Sequence, residues 1–201
     1  MGGAMNTAAL RVDAAVAAEI ASAYLDAPSG RAPIVEAAYA RLAMETDRLF
    51  AAITWPSRPD AVRVRFSTCA RPYDTADELI ASVRGDRLLE ITAAKTDHDR
   101  KHPLFDCAEG GTFDRFRAVH DIVGHGGLGA GFDRHGEYAT WRFQERFHTD
   151  LARRALATEL HAKHSACCTI GEPPDHKAML VDPQLLQQSR RSGLLRTCGT
   201  H

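Results

Sequence analysis

The sequence predicts an α+β fold that is predominantly α-helical and has a small β-sheet. Three observations support this fold class. Long stretches carry apolar residues at a spacing near 3.6, two short stretches alternate apolar with polar residues, and no repeat or linker divides the 201 residues. We therefore expect a single domain, with residues 1–60 as an N-terminal helical segment that packs on a core formed by residues 61–190.

Two helices are predicted in the N-terminal segment. Residues 7–25 are rich in alanine, the residue with the highest helix propensity, and Pro28 follows them. Residues 34–53 continue the helical spacing until Pro56. Because proline lacks a backbone donor and clashes with the preceding turn, we expect each helix to end before its proline.

The middle of the chain predicts the sheet. Residues 62–66 alternate apolar and charged side chains, as a half-exposed strand does, and residues 87–92 form a second candidate strand. Between them, residues 74–83 open with an acidic turn, which favours a helix N-terminus. A short helix between two strands is therefore expected.

The second half of the chain predicts a helix, a loop and a longer helix. Thr112 is a candidate cap for a helix that runs towards a glycine-rich loop at residues 124–133. The longest helical pattern follows, over residues 135–162. The tail contains Pro173, Pro174 and Pro183, and we expect it to be mostly irregular.

The composition of the chain argues against several classes of binding partner. The net charge of −1 gives no basic excess for nucleic acid or for an anionic membrane, and no apolar stretch is long enough for a membrane span. The five cysteines are odd in number and form no C-x-x-C pair, which argues against a disulfide framework and favours a reducing cytoplasm. We expect a small-molecule substrate, and the oligomeric state stays open.

The most informative motif is the run His-Asp-Ile-Val-Gly-His at residues 120–125. Neutral imidazole is the commonest metal ligand in proteins. On a straight α-helix, however, residues five apart point roughly 140° away from each other. His120 and His125 can reach one ion only if the helix ends at Gly124 in a left-handed cap or contains a π-bulge.

A third ligand is expected from the long helical pattern. Glu137, His148 and Glu159 fall on one stripe, because eleven residues make almost three whole turns. Glu137 and Glu159 would be separated by roughly 33 Å along a straight helix, so only one of them can join the imidazoles. Spacing alone leaves the choice open.

Residues 116–125 resemble the HD-x-x-GH iron motif of the tetrahydropterin-dependent aromatic amino-acid hydroxylases. In that family, the two histidines of the motif and a later glutamate form a two-His-one-carboxylate site for Fe(II). The resemblance covers about ten residues and implies His120, His125 and Glu159 as metal ligands. It also implies oxygen chemistry on an amino-acid-like or aromatic substrate.

A second resemblance runs from about residue 62 to residue 186. It rests on Pro72-Tyr73, His102-Pro103-Leu104, Gly136-Glu137, Trp141 and the run from Ala152 to Glu159. This order is similar to a domain of phage and mobile-element proteins that is described as metal-dependent or peptidase-like. It implies one functional block that contains both Glu137 and Glu159, and it implies no particular reaction.

Five further residues are candidates for roles around the metal. Asp121 and Glu137 are candidate catalytic residues, in which a carboxylate orients an imidazole or acts as a base. Arg117, Trp141 and His102 are candidate substrate-binding residues. Each also has a structural interpretation, with Glu137 as a helix N-terminal acid and Trp141 as a core residue.

Three hypotheses from different classes follow. The first is a mononuclear non-haem Fe(II)-dependent oxygenase, because two histidines and one carboxylate leave coordination positions open. The second is a zinc-dependent hydrolase or peptidase on the same ligands, with Asp121 or Glu137 as base. The third is a non-catalytic phage-derived module with structural histidines. The identity of the metal separates the first two, and the absence of metal favours the third.

Overall fold

The computed structural model describes residues 10–28, 30, 32–93, 102–105 and 109–193, and it is α+β and predominantly helical, as predicted. In chain order the elements are α1 (Ala14–Asp26), α2 (Pro33–Thr54), β1 (Arg63–Ser67), α3 (Ala76–Ala81), π1 (Ser82–Asp86), β2 (Leu88–Thr92), α4 (Thr112–Val119), π2 (His120–Gly126), α5 (Arg134–Gln144), α6 (Asp150–Ala157), π3 (Thr158–Ala162), α7 (Lys163–Ile170) and α8 (Pro183–Ser192). The three π elements are π-helical segments, of which π2 and π3 carry the candidate site residues His120, His125 and Glu159.

The sheet consists of β1 and β2, which pair in parallel from Arg63 opposite Leu88 to Ser67 opposite Thr92. Parallel strands need a crossover connection, and here α3 and π1 provide it. A small apolar core lies beneath this unit and includes Ala118 of α4 and Ile122 of π2. The sheet therefore supports the end of α4 where π2 begins.

The larger core joins the N-terminal helices to the second half of the chain. Helix α1 packs on α7 and α8, and α2 packs on α4 and α6. Ile20 and Leu42 from the N-terminal segment share one buried cluster with Trp141 and Leu156. These two helices thus enclose the elements that carry the candidate site. Residues 7–9, where the first helix was expected to begin, lie outside the described residues.

The expectation of one long helix over residues 135–162 is wrong. Helix α5 ends at Gln144, a 3₁₀ turn follows, and extended backbone at His148 separates it from α6. Glu45 of α2 supports the break: it accepts hydrogen bonds from the Thr149 amide (3.0 Å) and hydroxyl (2.7 Å), and it lies 3.2 Å from His148 Nδ1. A contact from a distant part of the chain therefore overrides the local helical pattern.

The tail contains a helix that the sequence analysis did not predict. Asp182 caps α8 by accepting hydrogen bonds from the Gln184 and Leu185 amides, and Pro183 occupies the first turn. Cys69, Cys167 and Cys168 are free, whereas Cys107 and Cys198 lie outside the described residues. Within the described ranges, every helix is too short or too polar to cross a membrane.

Candidate metal centre

A π-helical segment brings the two histidines of the motif together. Helix α4 changes to π-helix at His120, and π2 continues to Gly126. Backbone hydrogen bonds in a π-helix join residues five apart, so the side chains of residues i and i+5 share a face. His120 Nε2 and His125 Nε2 lie 3.2 Å apart, and their rings meet edge to face. Of the two geometries that the sequence left open, the structure has the π-helix.

Glu137, in the first turn of α5, completes the cluster. One carboxylate oxygen lies 3.2 Å from His120 Nε2, and the other lies 3.4 Å from His125 Nε2. Burial alone would raise the pKa of Glu137, but its hydrogen bonds to the two imidazoles outweigh burial and hold that pKa well below its usual range. Glu137 is therefore a carboxylate anion in direct contact with both rings.

The outer hydrogen bonds of the two rings determine which nitrogens carry protons. His125 Nδ1 lies 2.9 Å from the Ala130 carbonyl oxygen, which can only accept, so Nδ1 donates and Nε2 keeps its lone pair in the neutral ring. His120 Nδ1 makes the same kind of contact with Gln144 Oε1 at 3.2 Å. Burial alone would lower the pKa of His120, but contact with the Glu137 carboxylate outweighs burial and raises that pKa. Either a proton on His120 or a metal cation therefore balances the carboxylate at the point where the two Nε2 atoms converge.

The spacing of these donor atoms fits a single metal ion. Bonds of 2.0–2.2 Å that meet at angles between 90° and 110° place neighbouring ligand atoms about 2.8–3.6 Å apart. The two Nε2 atoms are 3.2 Å apart, His120 Nε2 lies 3.2 Å from Glu137 Oε2, and His125 Nε2 lies 3.4 Å from Glu137 Oε1. All three separations are in that range, with each imidazole next to a different oxygen of the carboxylate. Asp121 is a second candidate carboxylate ligand, because ligand atoms of His120, Asp121 and His125 all lie within 4.8 Å of one another and form a group that could hold a metal ion. Burial raises the pKa of Asp121.

Gly124 allows α5 to approach π2 closely enough for these contacts. A Cβ atom at Gly124 would lie 2.8 Å from the buried Cβ of Thr140 in α5 and 3.4 Å from His120 Nδ1. Because the middle of an α-helix cannot shift without disturbing its core contacts, the motif needs glycine at this position. The glycine between the two histidines therefore has a packing role.

Glu159, which the hydroxylase resemblance implied as the third ligand, occupies a different position. Its Oε1 accepts a hydrogen bond from the Tyr39 hydroxyl at 2.6 Å and lies 3.1 Å from His102 Nε2. His102 Nδ1 accepts from the Leu104 amide, so the Nε2 proton points at Glu159. Glu159 is thus held by α2 and the 102–105 segment, and the geometry favours Glu137 as the ligand.

A cavity of about 270 Å³ adjoins the candidate metal centre. Both His120 and Glu137 line it, and so do Glu159 of π3 and Lys163 of α7. Burial and the positive charge of Arg117 lower the pKa of Lys163. The apolar part of the wall is formed by Phe113, Phe116, Leu160, Pro173 and Pro174. The cavity therefore offers two basic side chains, Arg117 and Lys163, and a largely apolar surface beside the convergent donor atoms.

The three predicted substrate-binding residues occupy unequal positions. Arg117 lines the cavity, and its Nη1 donates to the Thr92 carbonyl at 2.7 Å. His102 is buried behind Glu159. Trp141 is instead a core residue: it is fully buried and stacks on His161 with ring centroids 4.5 Å apart. Of the three, only Arg117 is placed to contact a molecule in this cavity.

Sequence reasoning missed Lys163 and Gln144, although both carried a signal. Lys163 is the first residue of α7, four residues after Glu159 of π3, and both residues line the cavity. Gln144 follows Glu137 by seven residues, which is two helical turns, so the two side chains lie on the same face of α5. At that spacing both can contact the ring of His120. Neither signal is specific without knowledge of which glutamate faces the histidines.

Comparison of the chain with protein-family models, with curated proteins and with solved structures finds no match.

Proposed function

We propose that this chain is a mononuclear non-haem Fe(II)-dependent oxygenase whose metal ligands are His120, His125 and Glu137. The observation that carries the proposal is the convergence of two imidazole nitrogens and a carboxylate within 3.2–3.4 Å of one another. The contacts of the Ala130 carbonyl and Gln144 with the Nδ1 atoms hold the rings so that both Nε2 atoms face the Glu137 carboxylate. Two histidines and one carboxylate form the ligand set typical of Fe(II) oxygenases.

Iron bound by three protein ligands would supply oxygen activation, since it keeps positions open for O₂ and substrate. The protein's own contribution is to orient the metal ligands and to provide an apolar cavity beside them. Phe113 and Phe116 line the wall of the adjacent cavity and make part of it apolar. The hydrogen bonds to the outer nitrogens of His120 and His125 hold both rings in place.

The cavity supports a small aromatic or amino-acid-like substrate that carries a carboxylate. Its volume of about 270 Å³ is at the small end for ligand sites. Arg117 and Lys163 supply positive charge for a carboxylate, and the phenylalanine and proline side chains suit an apolar or aromatic body. We place the protein in the cytoplasm, where the free thiols of Cys69, Cys167 and Cys168 would persist.

A zinc-dependent hydrolase is the second candidate, and the position of Asp121 favours it. The Asp121 carboxylate lies within 4.8 Å of a ligand nitrogen of each imidazole, which is close enough for it to act as a base towards a metal-bound water. The same three ligands suit zinc. The choice between the two candidates therefore depends on which ion the purified protein carries.

The experiment is elemental analysis of the chain purified without chelator, followed by oxygen uptake. We expect about one iron per chain. We also expect oxygen consumption that depends on an aromatic or amino-acid carboxylate and disappears in Glu137→Ala. One zinc per chain with no oxygen uptake after reconstitution with Fe(II) would replace the oxygenase by the hydrolase. The absence of any stoichiometric metal would favour a non-catalytic module.

A further inference from the structure

A second concave surface lies away from the metal centre, between the end of α5, α6 and α8. We call it the arginine groove; its volume is about 530 Å³ and it shares no lining residue with the cavity beside the metal centre. Its lining residues are Glu145, Arg146, Asp150, Arg153, Arg154, Pro183, Leu186 and Arg190. Four guanidinium groups face two carboxylates, so the groove carries an excess of positive charge.

The two carboxylates are already engaged. The Glu145 oxygens accept from Arg142 Nε at 2.9 Å and from Arg190 Nη2 at 2.8 Å. Asp150 accepts from Arg153 Nη1 at 2.8 Å, but its side chain is 97% exposed, so solvent weakens this pair. The acids therefore neutralise part of the groove and hold Arg190 and Arg153 in place.

Arg154 is an arginine of the groove that forms no ion pair among the described residues. Its Nε atom is buried and has no hydrogen-bond partner among the described residues. A buried donor without a partner costs free energy, and a guanidinium group presents its donors as a fork that matches the oxygens of a phosphate. Arg154 lines the groove although its Nε atom is itself buried, and none of the described carboxylates forms an ion pair with its guanidinium group.

We propose that the arginine groove binds the phosphate group of a small phosphorylated molecule. Arg154 binds the phosphate, Arg146 adds a second guanidinium at the exposed rim, and Arg190 is already held by Glu145. Pro183 and Leu186 form an apolar wall for the organic part of the ligand. The volume is within the range of small-molecule sites and accommodates a molecule of nucleoside-monophosphate size.

A small ligand fits better than a nucleic acid. The chain as a whole has a net charge of −1, which provides no general attraction for a polynucleotide. Glu145 and Asp150 lie within the groove and would repel the successive phosphates of a polynucleotide. One phosphate, by contrast, contacts the arginines and avoids both acids.

The test is calorimetric titration of the full chain with AMP, with inorganic phosphate and with adenosine, which has the same base and sugar as AMP but no phosphate. We expect AMP and phosphate to bind, adenosine not to bind, and the affinity to fall with added salt. Arg154→Gln and Arg146→Gln should each weaken AMP binding about tenfold or more. Arg71→Gln, at an exposed arginine outside the groove, should leave it unchanged.

Arg146→Gln keeps the test decisive if Arg154→Gln destabilises the fold, because Arg146 is exposed. The proposal is overturned if AMP and phosphate do not bind at low salt, or if their affinity is the same in both groove variants. It is also overturned if a single-stranded oligonucleotide binds the groove more tightly than AMP and is displaced by salt with a slope of several charges. Arg154 and Arg146 do not line the cavity beside the candidate metal centre, so the loss of AMP affinity in these two variants reports on the groove alone and leaves the oxygenase proposal untouched.

Discussion

His161 should make the stability of the protein depend on pH in a measurable way. The ring is buried, stacks on Trp141, and its Nε2 lies 2.8 Å from the Ser189 hydroxyl oxygen. Burial, together with the positive charges of Arg142 and Arg190, lowers the pKa of His161 from 6.5 to about 3. Between these two values the unfolded chain binds a proton that the native chain does not, so stability falls as the pH falls below 6.5.

The size of the effect follows from the shift. Each pH unit below 6.5 costs about 1.4 kcal/mol, so the free energy of unfolding should lose about 2 kcal/mol from this residue between pH 6.5 and pH 5. His161→Gln removes the titration. The free energy of unfolding of this variant should therefore depend less on pH than that of the wild type. The difference in stability between the two should shrink by about 2 kcal/mol as the pH is lowered from 6.5 to 5.

The assay is urea unfolding followed by circular dichroism, with a chelator present so that metal release does not contribute. Ser189→Ala is the matched control: it removes the hydroxyl partner of His161, should cost about 1 kcal/mol at every pH, and should keep the wild-type slope. An equal pH dependence in His161→Gln and the wild type would refute this reasoning, because it would mean that His161 is not held neutral by burial.

Two further predictions concern the site. Gly124→Ala places a Cβ 2.8 Å from Thr140, so it should cost about 1–3 kcal/mol of stability and weaken metal binding. Gly85→Ala, which has open space around its Cβ, should change neither quantity. Equal behaviour of the two variants would contradict the packing role of Gly124. Lys163→Met should raise KM for carboxylate-bearing substrates while the metal content stays unchanged, because it removes one basic group from the cavity wall. An unchanged KM would exclude Lys163 from carboxylate binding. An equal increase in KM for the methyl ester of the same substrate would exclude it as well.

The fold class could be predicted from the sequence because its signals are local. Alternation marked β1, helical spacing marked α1 and α2, and prolines marked where those helices end. The break at His148 was missed because no proline or glycine stands between residues 137 and 170, and periodicity alone continues through it. What opens the helix is Glu45, about a hundred residues earlier, which bonds Thr149 and lies against His148.

The candidate site could be predicted in part. The motif supplied His120 and His125 and the requirement for a π-bulge or a cap between them. The choice between Glu137 and Glu159 depended on a straight helix that the structure does not have. Because the chain turns at His148, α5 and π3 lie side by side, and both glutamates reach the same cavity. Tertiary packing determines which of the two glutamates contacts the imidazoles, and the spacing of residues in the sequence does not contain that information.

The most direct test of the metal centre compares metal binding by Glu137→Ala and Glu159→Ala. The two variants remove the same chemical group from two glutamates that line one cavity. We expect Glu137→Ala to lose more than about 100-fold in Fe(II) or zinc affinity, beyond the 10–100-fold typical of residues that only orient a ligand, as His125→Ala should also do. We expect Glu159→Ala to keep a full equivalent of metal. Full occupancy in Glu137→Ala together with loss in Glu159→Ala would contradict the assignment of His120, His125 and Glu137.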